Sequence, residues 1–346
     1  MQTQMNFENK IICGDSLKVL KEMPNDFISL IITSPPYFQQ REYGTNIENG
    51  IGIGNEATEE EYLKNLLDIF FECVRITKPK GTIVFNIGDK YINGGLSLIP
   101  YKFAIKATEN KKVFLVNNLT WNKINPAPRQ DRSKLVQSTE PFFIFAKERG
   151  YYFNQDAYLT HLDYLNKTKR NKPTEKLGSA YYKLIEESNL LPEQKDKARN
   201  DLNNVIQQVI SGEIEGFRMK IKGIHSLPYG GQEGGRMTQI TNNGFTIIKI
   251  WGNKIKKDII ESPVETIKGN EHPAVYPQYI IQEIVKLLSI ENDIILDPFS
   301  GSGTTCMAAK CLNRKYIGIE INKEYIDFSH KRLSEKNKEL QTELFI

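Results

Sequence analysis

Residues 27–33, FISLIIT, form an almost unbroken apolar run that stops abruptly at Ser34-Pro35-Pro36-Tyr37. A run of this kind is expected of a parallel strand buried on both faces, so the chain must also supply crossover helices and partner strands. Whatever the turn at 34–37 does, it sits at a strand's carboxyl end.

The flanking sequence supplies the rest of that rhythm. Residues 10–12 are a short apolar run, followed by Gly14-Asp15 and an amphipathic stretch through Leu17, Val19, Leu20 and Met23 that Pro24 closes; strand, turn and helix are expected in that order. Thr58 and Glu61 make a capping box ahead of Tyr62, Leu66, Leu67, Phe70, Cys73 and Val74, predicting a helix that continues to Pro79-Lys80-Gly81. Strand-like runs follow at 82–88, 115–121 and 141–147, with a helix over about 99–108 between the first two. After Pro277 come a helix through Ile284, Leu287 and Leu288, the strand IILDPF, a glycine turn, a helix from Thr304 and the strand YIGIEI. Alternation of this sort predicts an α/β fold on a parallel sheet.

Between the two α/β stretches the pattern changes. A long helix is expected from Leu191-Pro192 with Leu202, Val205, Ile206, Val209 and Ile210 inward, followed by a glycine-rich basic stretch. The expected organisation is therefore one α/β domain in two halves, 1–150 and 271–346, interrupted by a module at 151–270. With 346 residues, 39% hydrophobic and 25% charged, the chain has ample material for such a core, and collagen-like or wholly disordered readings are excluded. The formal net charge of +4 permits a polyanionic partner without establishing one. Cys13, Cys73, Cys306 and Cys311 are scattered and show neither disulfide nor zinc spacing. The amino-terminal residues lack the apolar core of a signal peptide, and no apolar run approaches the ~20 residues of a membrane span. A cytoplasmic, reduced setting is the expectation.

The segment Asp297-Pro298-Phe299-Ser300-Gly301-Ser302-Gly303-Thr304-Thr305 joins a strand to a helix. Glycine-rich turns at that place let a ligand approach the backbone. The dinucleotide pattern G-x-G-x-x-G needs glycine where Cys306 stands, and the Gly-Lys-Ser/Thr of a phosphate-binding loop is absent. What remains is a glycine turn with one acid, Asp297, at its strand end and a second, Glu320, ending the next strand, placed for ribose hydroxyls. That suits a nucleoside-type cofactor without a pyrophosphate.

Taken together, DPFSGSGTT, IGIEI and TSPPY resemble the amino-methylating DNA methyltransferases that use S-adenosylmethionine. The order, catalytic half first, middle recognition region and cofactor half last, is similar to the β-group of that family, and the resemblance covers nearly all of the chain outside about 151–251. It implies a Rossmann-like methyltransferase sheet with helices on both faces, interrupted by a target-recognition insert. It further implies a cofactor site at Asp297, Phe299, Ser300, Gly301, Ser302, Gly303, Thr304 and Thr305, with Glu320 on the ribose, Asp15 toward the adenine amine and His272 near the methionine. Asp15 also has a local reading, since Gly-Asp-Ser makes a good turn and helix cap. Ser34, Pro35, Pro36 and Tyr37 are the implied catalytic loop.

Such a reaction explains those residue types. The lone pair of an exocyclic base amine is drawn into the ring, so the nitrogen must be made more tetrahedral before it attacks. The Ser34 hydroxyl and the carbonyl of Ser34 or Pro35 can accept the two amine hydrogens, aiming the lone pair for in-line transfer. The prolines stiffen the loop, and Tyr37 offers a ring on which an extruded base can stack. Glu140 can orient the loop, and Trp121-Asn122-Lys123 lies where relatives approach the target base. Neither a metal nor a covalent nucleophile is required. Methylation at cytosine carbon 5 is excluded, because it needs a Pro-Cys nucleophile and none of the four cysteines follows a proline. Serine in the first loop position resembles the relatives that act on cytosine N4, with adenine N6 as the alternative.

Residues 217–257 hold eight Lys or Arg against one acid, Glu233. Arg218, Lys220, Lys222 and Arg236 are the candidate DNA contacts, suited to phosphates, with Arg236 also able to reach a guanine edge. The implied partner is double-stranded DNA. A cognate restriction endonuclease, an unpartnered modifying enzyme and a homodimer are all compatible with these residues. Two other classes stand beside the leading one: a methyltransferase-like module that binds DNA without turnover, and a methyltransferase acting on RNA or a protein amide.

Overall fold

The run at 27–33 forms β2 (Ile28–Thr33), all six residues of which are buried. In this computed structural model residues 7–40, 53–128, 133–159, 177–226, 235–250, 256–265 and 276–334 are described. The chain divides into two compact units, the first Met1–Tyr158 with Lys257–Ile346 and the second Leu159–Lys256.

The first unit is built on an eight-stranded sheet. Its strands are β1 (Lys10–Cys13), β2, β3 (Thr77–Asn86), β6 (Phe114–Lys123), β7 (Thr139–Ala146), β10 (Ile259–Ser262), β11 (Ile294–Asp297) and β12 (Lys315–Glu320). They lie in the order β1-β12-β11-β2-β3-β7-β6-β10. A small hairpin, β4 (Tyr91–Ile92) and β5 (Gly95–Leu96), stands apart from it. The helices are α1 (Ser16–Glu22), α2 (Glu59–Ile76), α3 (Ile99–Glu109), α7 (Gln278–Leu288), α8 (Thr304–Cys311) and α9 (Lys323–Ser334).

Alternation across the strands buries both faces. Ile83 and Phe85 of β3 join one cluster with Leu20, Phe70 and Phe103 of α1, α2 and α3, whereas Val84 between them is equally buried but outside that cluster. The Phe70 ring meets Phe85, Phe103 and Phe145 at centroid distances of 5.4, 5.4 and 5.0 Å. Truncating such a side chain costs about 3–5 kcal/mol. A separate cluster joins Ile11 to Cys306, Met307, Ile326 and Leu333 of α8 and α9.

Two features of the first unit depart from the sequence reading. The sheet is not wholly parallel, because β7 runs antiparallel to both β3 and β6. Parallel neighbours need a crossover, usually a helix, and the described residues between Lys123 and Thr139, 124–128 and 133–138, form none, so β7 runs back beside β6. The helix expected to reach Pro79 ends at Ile76, and β3 begins at once. Thr77 is extended and its hydroxyl donates to the Cys73 carbonyl at 2.7 Å. Residues 78–80 are exposed where the register with β2 shifts, so Pro79 sits in the irregular part of a strand.

The second unit contains α4 (Ser179–Glu187), α5 (Pro192–Ile210), β8 (Gly216–Ile221), α6 (Arg236–Asn243) and β9 (Phe245–Ile250), with β8 and β9 paired antiparallel. Leu202 and Val205 of α5 are in its core, with Ile206 and Val209 packed against them. Ile210, expected inward, is exposed in the last turn of the helix. Among the described residues, no helix is long and apolar enough to cross a membrane.

Candidate functional site

From β11 the chain crosses through α8 to β12 on one side, and from β2 it crosses through α2 to β3 on the other. The boundary between β11 and β2 is therefore a topological switch point, where the crossovers part and leave a crevice at the strands' carboxyl ends. The loop at 34–37 leaves β2 there, and the loop at 297–305 leaves β11 there. Asp15 and Glu320 lie at the same ends of β1 and β12, joined by the Gly14 N–H donating to the Glu320 carbonyl at 2.9 Å.

Asp297 ties the two loops together. Its carboxylate accepts from the Thr33 hydroxyl at 2.7 Å, the Phe299 amide at 3.0 Å and the Tyr276 hydroxyl at 3.0 Å. Burial pushes its carboxyl above the usual range, against the opposing pull of those donors. Tyr276 also bonds the Thr305 hydroxyl, and burial raises its phenol well above the ordinary value. In the sequence Thr33 stood out only as the first residue of TSPPY, and Tyr276 did not stand out.

The glycine loop is held from several directions. Ser300 N–H donates to the Ile319 carbonyl at 2.9 Å, and Gly303 N–H to the Ser300 carbonyl at 2.7 Å. Gly303 has φ +79°, and a Cβ there would lie 2.9 Å from Ser329 Oγ, so both conformation and space demand glycine. From α9, Ser329 Oγ donates to the Gly301 carbonyl at 2.9 Å, while Arg332 Nη1 donates to the Ser302 carbonyl at 2.7 Å and its hydroxyl at 3.3 Å, and to the Thr304 hydroxyl at 3.2 Å.

Glu320 accepts the Gly301 amide on Oε2 at 2.8 Å and the Ile321 and Asn322 amides on Oε1, each at 2.9 Å. Burial raises its carboxyl, and the amides oppose that shift. A carboxylate has about four acceptor positions, so Glu320 retains capacity for a ligand hydroxyl. Among the described residues, Ser300 Oγ is buried without a hydrogen-bond partner, and Phe299 is only partly buried at the loop's entry. This donor and acceptor set fits a nucleoside. Asp15 is exposed and caps α1, accepting from the Lys18 amide at 2.9 Å on one oxygen.

The 34–37 loop is equally fixed. Tyr62 Oη donates to the Pro36 carbonyl at 3.0 Å, and Ser34 Oγ donates to Tyr37 Oη at 3.2 Å. Tyr37 Oη lies 2.9 Å from Asn86 Oδ1 and 3.1 Å from Glu140 Oε2. The other oxygen of Glu140 pairs with Lys123, whose Nζ stands 5.0 Å from the centre of the buried Trp121 ring. Gly88 is the close-approach position, since a Cβ there would lie 2.3 Å from Tyr37 Cε2. Asn86 was missed, although a polar side chain ending the apolar strand TIVFN is the signal that points to it.

Arg218 and Lys220 of β8 alternate with buried Met219 and Ile221. Arg218, Lys222 and Arg236 are exposed, and Lys220 Nζ donates to the Ser226 carbonyl at 3.1 Å. These four belong to the second unit. His272 lies outside the described residues, as does most of the glycine-rich stretch before Arg236. Among the described residues, no group of three or more His, Cys, Asp or Glu converges as metal ligands do.

A parallel-rich sheet with fixed loops at its switch point defines the class of open α/β folds that bind ligands at their strands' carboxyl ends, and comparison with known proteins narrows it. The sequence matches the DNA methylase model of the N6/N4 family over residues 28–331, and the chain belongs to that family. It is similar to Type II methyltransferase M.BglII of Bacillus subtilis, 29% identical with 94% of this chain and 69% of the relative aligned. Among solved structures it is similar in fold to the PvuII DNA methyltransferase (cytosine-N4-specific), with TM-score 0.58, 17% identity and coverage of 96% and 89%. It is also similar to M1.HpyAVI in its SAM complex, with TM-score 0.50, 18% identity and coverage of 94% and 99%.

Proposed function

We propose that this DNA methyltransferase is site-specific, takes its methyl group from S-adenosylmethionine and places it on the exocyclic N4 of a cytosine extruded from duplex DNA. The observation that carries the reading is the 2.7 Å bond from Thr33 to Asp297, which fastens the residue before the amine-facing loop to the first residue of the cofactor loop. Positioning of two reactants by rigid elements supplies much of a transfer reaction's acceleration.

When bound, the cofactor supplies an electrophilic methyl group on a sulfonium. Phe299 and residues 300–305 line its side of the crevice, Glu320 takes a ribose hydroxyl, and Asp15 offers its second oxygen to the adenine amine, with His272 assigned to the methionine end. Asp297 is buried, holds three donors of the protein and shapes the loop from behind. Ser34 Oγ and the carbonyl of Ser34 or Pro35 receive the amine hydrogens of the target base, and Pro35 and Pro36 limit loop motion. Tyr37 supplies a ring face on which the extruded base stacks, its hydroxyl already held. The serine-led loop favours cytosine N4; adenine N6 presents the same two amine hydrogens and is the second reading.

Arg218, Lys220, Lys222 and Arg236 are assigned to DNA phosphates and base edges. A cytoplasmic restriction-modification setting completes the proposal, and an unpartnered modifying enzyme fits these residues equally. The test is Ser34→Ala, which should lower cofactor-dependent methyl transfer to duplex DNA by at least about 100-fold while DNA binding persists. Equal labelling by Ser34→Ala contradicts the assignment, and binding without any transfer by the wild type supports an inert module instead.

A further inference from the structure

The hydrogen-bond chain behind Ser34 has a direction. Ser34 Oγ donates to Tyr37 Oη, and the single proton of Tyr37 faces Asn86 Oδ1 at 2.9 Å and Glu140 Oε2 at 3.1 Å. Asn86 Nδ2 donates to the Pro141 carbonyl at 3.0 Å, which fixes its oxygen toward Tyr37. Bonds to a charged acceptor are about twice as strong as those between neutral groups, so polarisation runs from Ser34 through Tyr37 toward the Glu140 carboxylate. The members come from the ends of β2, β3 and β7, and Lys123 of β6 anchors the far oxygen of Glu140.

Methylation of an amine releases a proton. The nitrogen gains a bond to carbon as the carbon–sulfur bond breaks, the sulfonium becomes a neutral thioether, and the nitrogen must give up one N–H. If Ser34 Oγ accepts that hydrogen, its own proton has to leave, and the oxygen it already faces along this path is that of Tyr37.

We infer that Ser34, Tyr37 and Glu140 form the proton exit from the target amine. The amine proton passes to Ser34 Oγ as the Ser34 proton passes to Tyr37 Oη and the Tyr37 proton to Glu140 Oε2. Each hydroxyl finishes with one proton, the carboxylate becomes a carboxylic acid, and the nitrogen loses its positive charge. Glu140, with a side chain 14% exposed, then returns the proton to solvent. Glu140 acts through Tyr37 and Ser34 and is a positioning residue in that sense: it fixes where both hydroxyl protons lie and receives one of them. The inference rests on Ser34 being the amine's acceptor and holds for cytosine N4 and adenine N6 alike.

The test compares the wild type with Glu140→Gln, Tyr37→Phe and the double variant in single-turnover methyl transfer on a duplex the wild type methylates. Base extrusion is followed by the fluorescence of 2-aminopurine at the mapped target, and S-adenosylmethionine affinity by equilibrium titration. Each single variant should slow the chemical step about 100-fold, the lower end of a general-base contribution, with the fluorescence change and cofactor affinity intact. The double variant should be no slower than the slower single one, because both break the same path. A Glu140→Gln rate within about threefold of wild type, effects that multiply in the double variant, or a loss of extrusion matching the loss of rate each overturn the exit. Absence of methyl transfer to DNA by the wild type overturns the functional reading itself and this inference with it, a result the wild-type control reports separately.

Discussion

Thr33 donates its hydroxyl to Asp297 across 2.7 Å, joining the last residue of β2 to the last residue of β11, with both side chains buried. Thr33→Val preserves shape while removing one donor from a buried carboxylate, which should cost about 1–3 kcal/mol and lower the thermal midpoint. The deficit has a sign with pH. Burial holds the Asp297 carboxyl above the usual range, so the native state binds that proton more tightly than the unfolded chain, and stability falls as pH rises from the unfolded value through the folded one. The Thr33 donor favours the charged form. The gap between wild type and variant should therefore be smaller at about pH 4 than at about pH 8, as read by denaturant midpoints. Equal gaps contradict the arrangement.

Arg332 reaches the cofactor loop from α9, donating to the Ser302 carbonyl at 2.7 Å and to the Thr304 hydroxyl at 3.2 Å. Arg332→Ala should weaken S-adenosylmethionine binding about tenfold, equivalent to about 1.4 kcal/mol, and leave DNA affinity measured without cofactor unchanged. Calorimetric titration checks it, and unchanged cofactor affinity contradicts a supporting role for α9.

What the sequence disclosed and what it hid differ in range. TSPPY and DPFSGSGTT are contiguous, and each follows an apolar strand, so their identity and their place at strand ends could be read locally. Asn86, Tyr276, Ser329 and Arg332 support those loops from distant points in the chain, as does Asp297 for Thr33, and only the order β12-β11-β2-β3-β7 brings most of them close. The direction of β7 was hidden too, because an apolar strand carries no mark of its polarity. Pro79 misled through a rule that holds for helices: a strand with a register shift accommodates proline at the irregularity. Asp15 carried two readings in the sequence, and the capping one is what the backbone of α1 displays.

Gly88 should tolerate nothing larger. A Cβ there would lie 2.3 Å from Tyr37 Cε2, so Gly88→Ala should displace the ring and reduce the single-turnover rate by at least about tenfold. Gly95→Ala is the control, because its nearest neighbour is the Ile92 carbonyl oxygen at 3.8 Å and the residue lies on the exposed hairpin. Equal loss in both variants contradicts a local effect at Tyr37.

For the second unit, charge removal at Arg218, Lys222 or Arg236 should lower the slope of log affinity against log salt by about 1 for each phosphate that is no longer neutralised. Fluorescence anisotropy on duplex DNA at several salt concentrations reads this directly. A substitution that changes affinity for one sequence alone, with the slope intact, marks base reading instead, and no change at any of the three removes this face from the DNA interface.

The most direct test of the central claim is transfer of labelled methyl from S-adenosylmethionine to mixed-sequence duplex DNA, followed by digestion to nucleosides and identification of the product by mass. N4-methylcytosine is the predicted product. N6-methyladenine contradicts the base assignment while leaving the loops, cofactor and proton exit in place, and an unlabelled DNA pool in the presence of bound cofactor contradicts the account as a whole.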